Sequence, residues 1–109
     1  MSKNEQKPQE GRPTPEQVAA WKKEHGSLFS IEVNGKLAIL RKPRMLDLER
    51  AQQVSRKPNA KPFDFNRNIV GNCALYLDPG MRENDENELA LLTSVGELVE
   101  VKEAEVKKL

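Results

Sequence analysis

The sequence has very few of the residues from which most active sites and metal centres are built. Its 109 residues include one cysteine, one histidine and 5% aromatic residues. One cysteine excludes an intramolecular disulfide, and with a single histidine it cannot form a zinc cluster within one chain. The glycines occur singly, so no glycine-rich loop can cradle a phosphate. These absences predict a non-enzymatic protein without metal or cofactor.

Long hydrophobic runs are also lacking. The longest uncharged stretch, residues 68–77, is about half of the roughly 20 apolar residues that a membrane span requires. The first residues lack the apolar core of a signal peptide. We therefore predict a soluble cytoplasmic protein with no membrane contact. With 37% hydrophobic residues, the chain is long enough for one modest core.

Charge is distributed unevenly, although the net charge is only +1. Residues 22–67 contain eleven Lys or Arg and five Asp or Glu, whereas residues 78–109 contain four and nine. A basic middle and an acidic end are compatible with nucleic-acid binding or with contact between opposite surfaces of two copies. They are equally compatible with two solvated faces of one domain.

The N-terminal region divides into a polar arm and a helix. Residues 1–13 contain no aliphatic side chain after Met1, which predicts a disordered arm. A helix should begin after Thr14, because Pro15 suits the first helical position and Gln17 completes a capping box. It should end at Gly26. Val18, Trp21 and His25 fall on one face of this short amphipathic helix, and Trp21 is its predicted anchor.

A β-hairpin is predicted at about residues 28–41, because Asn34-Gly35 separates two β-patterned runs. A two-residue turn places Phe29, Ile31, Val33, Lys36, Ala38 and Leu40 on one mostly apolar face. Leu37 and Ile39 lie on the opposite face, so the second strand is apolar on both sides. Another molecule could cover this second face. The predicted surface for self-association or for a client protein consists of Leu37, Ile39, Arg41, Lys42 and Arg44.

Three further helices are predicted after Pro43. The first spans about residues 45–56, with Met45, Leu48, Ala51, Gln52 and Ser55 on one side. The second carries an apolar stripe from residue 66 to residue 77, formed by Asn66, Ile69, Val70, Cys73, Ala74 and Leu77. After a polar loop at residues 84–87, the third contains Leu91, Leu92, Val95, Leu98 and Val99 and is weakened by Gly96. The fold class is therefore α+β, a mainly helical single domain over residues 14–109.

Most candidate chemistry has a structural explanation. His25 falls in the last turn of a helix, where the helix dipole favours a cation, and Cys73 falls on an apolar stripe, where a small soft side chain packs well. The acidic stretch at residues 78–88 lacks the ligand spacing of a calcium loop. The basic group could contact phosphates, but aromatic stacking partners are sparse. This group consists of Arg41, Lys42, Arg44, Arg50, Arg56, Lys57, Lys61 and Arg67.

The order of these elements resembles that of the small tail assembly chaperone-like proteins of tailed phages and prophages. The resemblance covers residues 18–109. It rests on Trp-Lys-Lys-Glu-His-Gly at residues 21–26, Leu-Arg-Lys-Pro at 40–43, Ile-Val-Gly-Asn-Cys at 69–73, the acidic loop at 78–88 and Val-Lys-Lys-Leu at 106–109.

The resemblance implies a protein of the host cytoplasm that binds the long, helical, apolar tape-measure protein and keeps it soluble. It also implies recruitment of tail-tube protein without nucleotide hydrolysis. Apolar residues on both faces of the hairpin and complementary charge are compatible with a homo-oligomer. No motif of the family fixes the client-contacting residues. The alternatives are a small nucleic-acid-binding or regulatory protein using residues 41–67, and an adaptor domain.

Overall fold

A computed structural model describes residues 11–98 and 104–109. Residues 11–98 form four helices and one three-stranded antiparallel sheet, which confirms the predicted α+β class. The elements are α1 (Pro15–His25), β1 (Leu28–Val33), β2 (Lys36–Arg41), α2 (Met45–Ser55), α3 (Asp64–Cys73), β3 (Ala74–Leu77), α4 (Asp85–Val95) and a 3₁₀ turn (Gly96–Leu98). Of the predicted disordered arm, residues 1–10 lie outside the described residues, as does Val99 of the last predicted helix. None of the described helices is long and apolar enough to cross a bilayer.

The capping residues predicted for α1 act as expected. The Thr14 hydroxyl accepts the Gln17 N–H at 3.2 Å, and the Gln17 side chain accepts the Thr14 N–H at 2.9 Å. Gly26 ends the helix with φ +82°, a conformation that residues with a Cβ rarely adopt. Val18, Trp21 and His25 are half-buried, and no residue of α1 is fully buried.

The hairpin has the predicted register. Val33 pairs with Lys36, and the ladder continues to Leu28 and Arg41. Asn34 and Gly35 form the turn with φ values of +50° and +77°, as a two-residue hairpin turn requires. Alternate positions of the ladder then face the helices. The side chains on this face that belong to the core or pack against it are Phe29, Ile31, Val33, Ala38 and Leu40.

The predicted helix over residues 66–77 is wrong at its C-terminal end. The helix α3 ends at Cys73, and Ala74–Leu77 form β3 along the free edge of β2. A bulge between Ile39 and Leu40 shifts the pairing, so that Ala74 and Leu77 both pair with core residues of β2. Ala74 and Leu77 are three residues apart and both face the core, which is the spacing that is typical of a helix. Pairing satisfies backbone groups on β2 that a two-stranded hairpin leaves open.

The helices α3 and α4 pack on the sheet, and α2 packs on α3. The helix α3 packs against both α2 and α4, and it also contacts β2, while α4 contacts β1. The helix α1 contacts β1. The fully buried side chains between the helices and the sheet include Leu40, Ile69, Val70, Cys73, Met81, Leu91, Leu92 and Val95.

Two helices differ in detail from the prediction. In α2, Ala51 is buried as expected, but Met45 points outward and the charged Asp47 is buried instead. The helix α4 begins at Asp85, inside the predicted loop, because the Asn84 side chain accepts the Asn87 N–H at 3.1 Å and caps the first turn.

Candidate protein-interaction site

The predicted interaction residues of β2 are largely covered by this chain itself. Ile39 is only 8% exposed and pairs with Tyr76 of β3. Leu37 is half-buried, and its backbone N–H and carbonyl bond to the side chain and backbone of Asp78 at 2.7 and 2.9 Å. Ile39, which the prediction offered to another molecule, is therefore already largely covered within this chain.

Arg41 is partly buried at the end of β2. Its guanidinium donates to both carboxylate oxygens of Asp47, at 2.7 and 3.1 Å, and to the backbone carbonyl of Asn72 at 2.9 Å. Asp47 also accepts the backbone N–H of Arg44 at 2.8 Å. This buried pair therefore joins the end of β2, the first turn of α2 and the last turn of α3.

Two groups near this contact have shifted pKa values, each for a different reason. The hydrogen bonds from Arg41 lower the pKa of Asp47 from 3.8 to about 2, so its carboxylate stays charged. Burial raises the pKa of the nearby Cys73 thiol from 9.0 to about 11. Cys73 is fully buried, which confirms its predicted place in the core. Its thiol is therefore protonated and inert at neutral pH.

Asp78 forms a second buried polar cluster. It accepts hydrogen bonds from the Nε of Arg12 at 3.1 Å, from the Leu37 N–H at 2.7 Å and from the Tyr76 hydroxyl. Burial alone would raise the pKa of Asp78, but the hydrogen bonds, above all that from Arg12, outweigh burial and lower it to about 2. Arg12 also bonds to the carbonyl of Gly35 at 3.0 Å. Arg12, at the end of the predicted arm, thus contacts the sheet.

Lys42 and Arg44 lie exposed at the start of α2. The Arg44 guanidinium is 3.5 Å from Nδ1 of His25. Of the five predicted interaction residues, three therefore lie on β2, with Arg41 held by Asp47, and two lie just before α2.

The outer side of α2 presents the main apolar surface of the helical layer. Met45 is 72% exposed and Leu46 is 53% exposed, next to a shallow cavity of about 630 Å³. Arg50 and Arg56 line the same cavity. We call this surface the α2 face, and it consists of Met45, Leu46, Glu49, Arg50, Gln53 and Arg56.

Sequence reasoning did not identify the α2 face. The apolar pattern of the predicted helix placed Met45 on its inner side and did not include Leu46. The available signal was Leu46, an apolar residue outside the predicted stripe.

Two other features bear on the chemistry. Within residues 11–98 and 104–109, no cluster of His, Cys, Asp and Glu could hold a metal ion. Of the predicted basic group, Arg41 and Arg67 are engaged in ion pairs, the latter with Asp64 at 3.2 Å. The remaining members lie before α2, on α2 and in the loop that follows it.

Comparisons with models of protein families, with curated proteins and with solved structures found no match for this chain.

Proposed function

We propose that this protein is a non-catalytic assembly chaperone that binds an apolar helical client through the α2 face. The observation that carries the proposal is the exposure of two adjacent apolar side chains, 72% for Met45 and 53% for Leu46, on an ordered helix. Exposed apolar surface beside charged side chains is typical of protein-binding sites. The resemblance described above suggests the client, the tape-measure protein of a tailed phage or prophage in the host cytoplasm.

The chemistry of the α2 face suits an extended client with many similar segments. Methionine is flexible and polarisable, so Met45 can adapt to different apolar partners. A client helix could place its apolar stripe along α2, as helices do in hydrophobic grooves. Arg50 and Arg56 supply a charged rim that keeps the free protein soluble. A holdase of this kind needs no bound nucleotide, and tail-tube protein would be recruited by a separate surface.

Co-expression with the tape-measure protein of the same tail gene cluster tests the proposal. The parent chain should raise the soluble fraction of the client and co-purify with it, whereas Met45→Glu/Leu46→Glu should do neither. Both substitutions lie in the first turn of α2, where glutamate is favoured by the helix dipole. The fold should therefore be retained, and thermal unfolding followed by circular dichroism checks this.

The matched control is Val106→Glu/Leu109→Glu, which changes two exposed apolar residues outside α2. This control should bind the client like the parent. Failure of the parent to bind, or equal binding by the α2 variant, would refute the proposal. Binding to mixed-sequence DNA or RNA that weakens steeply with salt would instead support the nucleic-acid alternative.

A further inference from the structure

The outer side of α4 carries charge opposite to that of the α2 face. Its exposed residues include two carboxylates, Asp85 and Glu86, and one apolar side chain, Leu89, which is 50% exposed, and the 3₁₀ turn that follows adds the exposed Glu97. Arg50, Arg56 and Glu49 give the α2 face a net positive charge. We call the acidic surface the α4 face, and it consists of Asp85, Glu86, Leu89, Thr93 and Glu97.

The two faces lie at opposite edges of the helical layer, because α3 packs between α2 and α4. One copy of the chain therefore cannot bring its own α2 face onto its own α4 face. A second copy can do so without any change in fold.

The spacing of residues on the two helices also matches. Leu46 and Arg50 are four residues apart, or about 6 Å along α2, and Asp85 and Leu89 are separated by the same distance on α4. If the helices meet antiparallel, Leu46 contacts Leu89 while Arg50 contacts Asp85. Antiparallel packing also aligns opposite ends of the two helix dipoles.

We infer that a second copy of this chain docks its α4 face on the α2 face, in a head-to-tail contact. The inference rests on the α2 face being a protein-binding surface, as the proposed function requires. A heterologous contact leaves each copy with one free face, so association continues to a ring or an open chain. Because client and second copy use the same α2 face, the client competes with self-association.

Charge reversal across the contact provides the test, with mass measured by light scattering and sedimentation at low salt. Arg50→Glu places two carboxylates in contact and Asp85→Lys places two cations in contact, so each variant alone should associate at least about tenfold more weakly than the parent. A mixture of the two variants should reassemble, because the introduced glutamate of one variant then meets the introduced lysine of the other, and the native pair forms at the alternate contacts. Lys23→Glu, an exposed charge reversal on α1, should associate like the parent.

Three results would overturn the inference: a monomeric parent, undiminished association of either variant, or a mixture that does not reassemble. These experiments contain no client, so they measure self-association separately from client binding. If the parent is a monomer that binds the client, the proposed function is supported and the head-to-tail contact is refuted. If the parent self-associates but does not bind the client, the contact is supported and the proposed function is refuted.

Discussion

Replacing Asp47 with alanine should strongly destabilise the fold and loosen α2. Asp47 is 3% exposed and accepts two hydrogen bonds from Arg41 and one from the Arg44 N–H. Alanine leaves the Arg41 guanidinium, only 13% exposed, without its carboxylate. The first turn of α2 also loses the acceptor of one backbone N–H.

The structure gives the expected magnitude. Lowering the pKa of Asp47 from 3.8 to about 2 corresponds to about 2 kcal/mol in favour of the charged carboxylate. Stranding a buried partner charge costs more, about 3 kcal/mol or above. We therefore expect Asp47→Ala to lower the free energy of unfolding by about 3 kcal/mol, and Asp47→Asn, which keeps the shape, by about 2 kcal/mol. Both are large for a small domain.

Urea unfolding followed by circular dichroism measures these changes. The double substitution Arg41→Met/Asp47→Leu removes both charges together. It should therefore lower the unfolding free energy by clearly less than the sum of the losses from Arg41→Met and Asp47→Leu made separately. Glu49→Ala, an exposed acidic residue two positions later, should change the unfolding free energy by less than about 0.5 kcal/mol.

The pH dependence follows from the same pKa. Because folding lowers the pKa of Asp47, its contribution is complete above about pH 4 and is lost as the pH falls towards 2. Asp47→Asn should therefore flatten the acid limb of the stability profile, leaving the part due to Asp78. A cost below about 1 kcal/mol for Asp47→Ala, or additive effects in the double substitution, would refute this account of the ion pair.

Two further predictions concern the hairpin and the core. Gly35 has φ +77° with no atom within 4 Å of an added Cβ, so Gly35→Ala should cost about 1 kcal/mol through backbone strain alone. Gly71 is equally uncrowded but lies inside α3, so Gly71→Ala should raise the unfolding free energy by up to about 1 kcal/mol. A lower unfolding free energy in both variants would contradict this reasoning from backbone conformation. Cys73 should react with an aromatic disulfide reagent only after unfolding, and rapid reaction of the folded protein would show that the thiol is not buried.

The parts of the fold that the sequence predicted depend on neighbouring residues. Thr14 and Gln17 cap α1 through contacts three residues apart, and Asn34-Gly35 fixes the hairpin register through one turn. Such local patterns can be read without knowing the rest of the fold. The buried cluster of Asp78 and Arg12 joins residues 66 positions apart, so no local pattern predicted it.

The third strand was missed for a different reason. Ala74 and Leu77 contact the core at a three-residue spacing, which is typical of a helix, but a bulge in the β2–β3 pairing produces the same spacing in a strand. The strand β3 extends the sheet beside Ile39, which is only 8% exposed, so little of this predicted interaction residue is left for another molecule.

The outward position of Met45 could not be predicted because it depends on the burial of a charged residue. Successive helical residues are rotated by about 100°, so turning Asp47 towards Arg41 places Met45 about 200° away, on the outer side. Ala51, one turn after Asp47, is buried on the same line. A buried ion pair is seldom more stabilising than apolar residues of similar volume. A helix that buries an aspartate and exposes the adjacent methionine and leucine therefore departs from the arrangement that stability alone favours, and such departures are expected at functional surfaces.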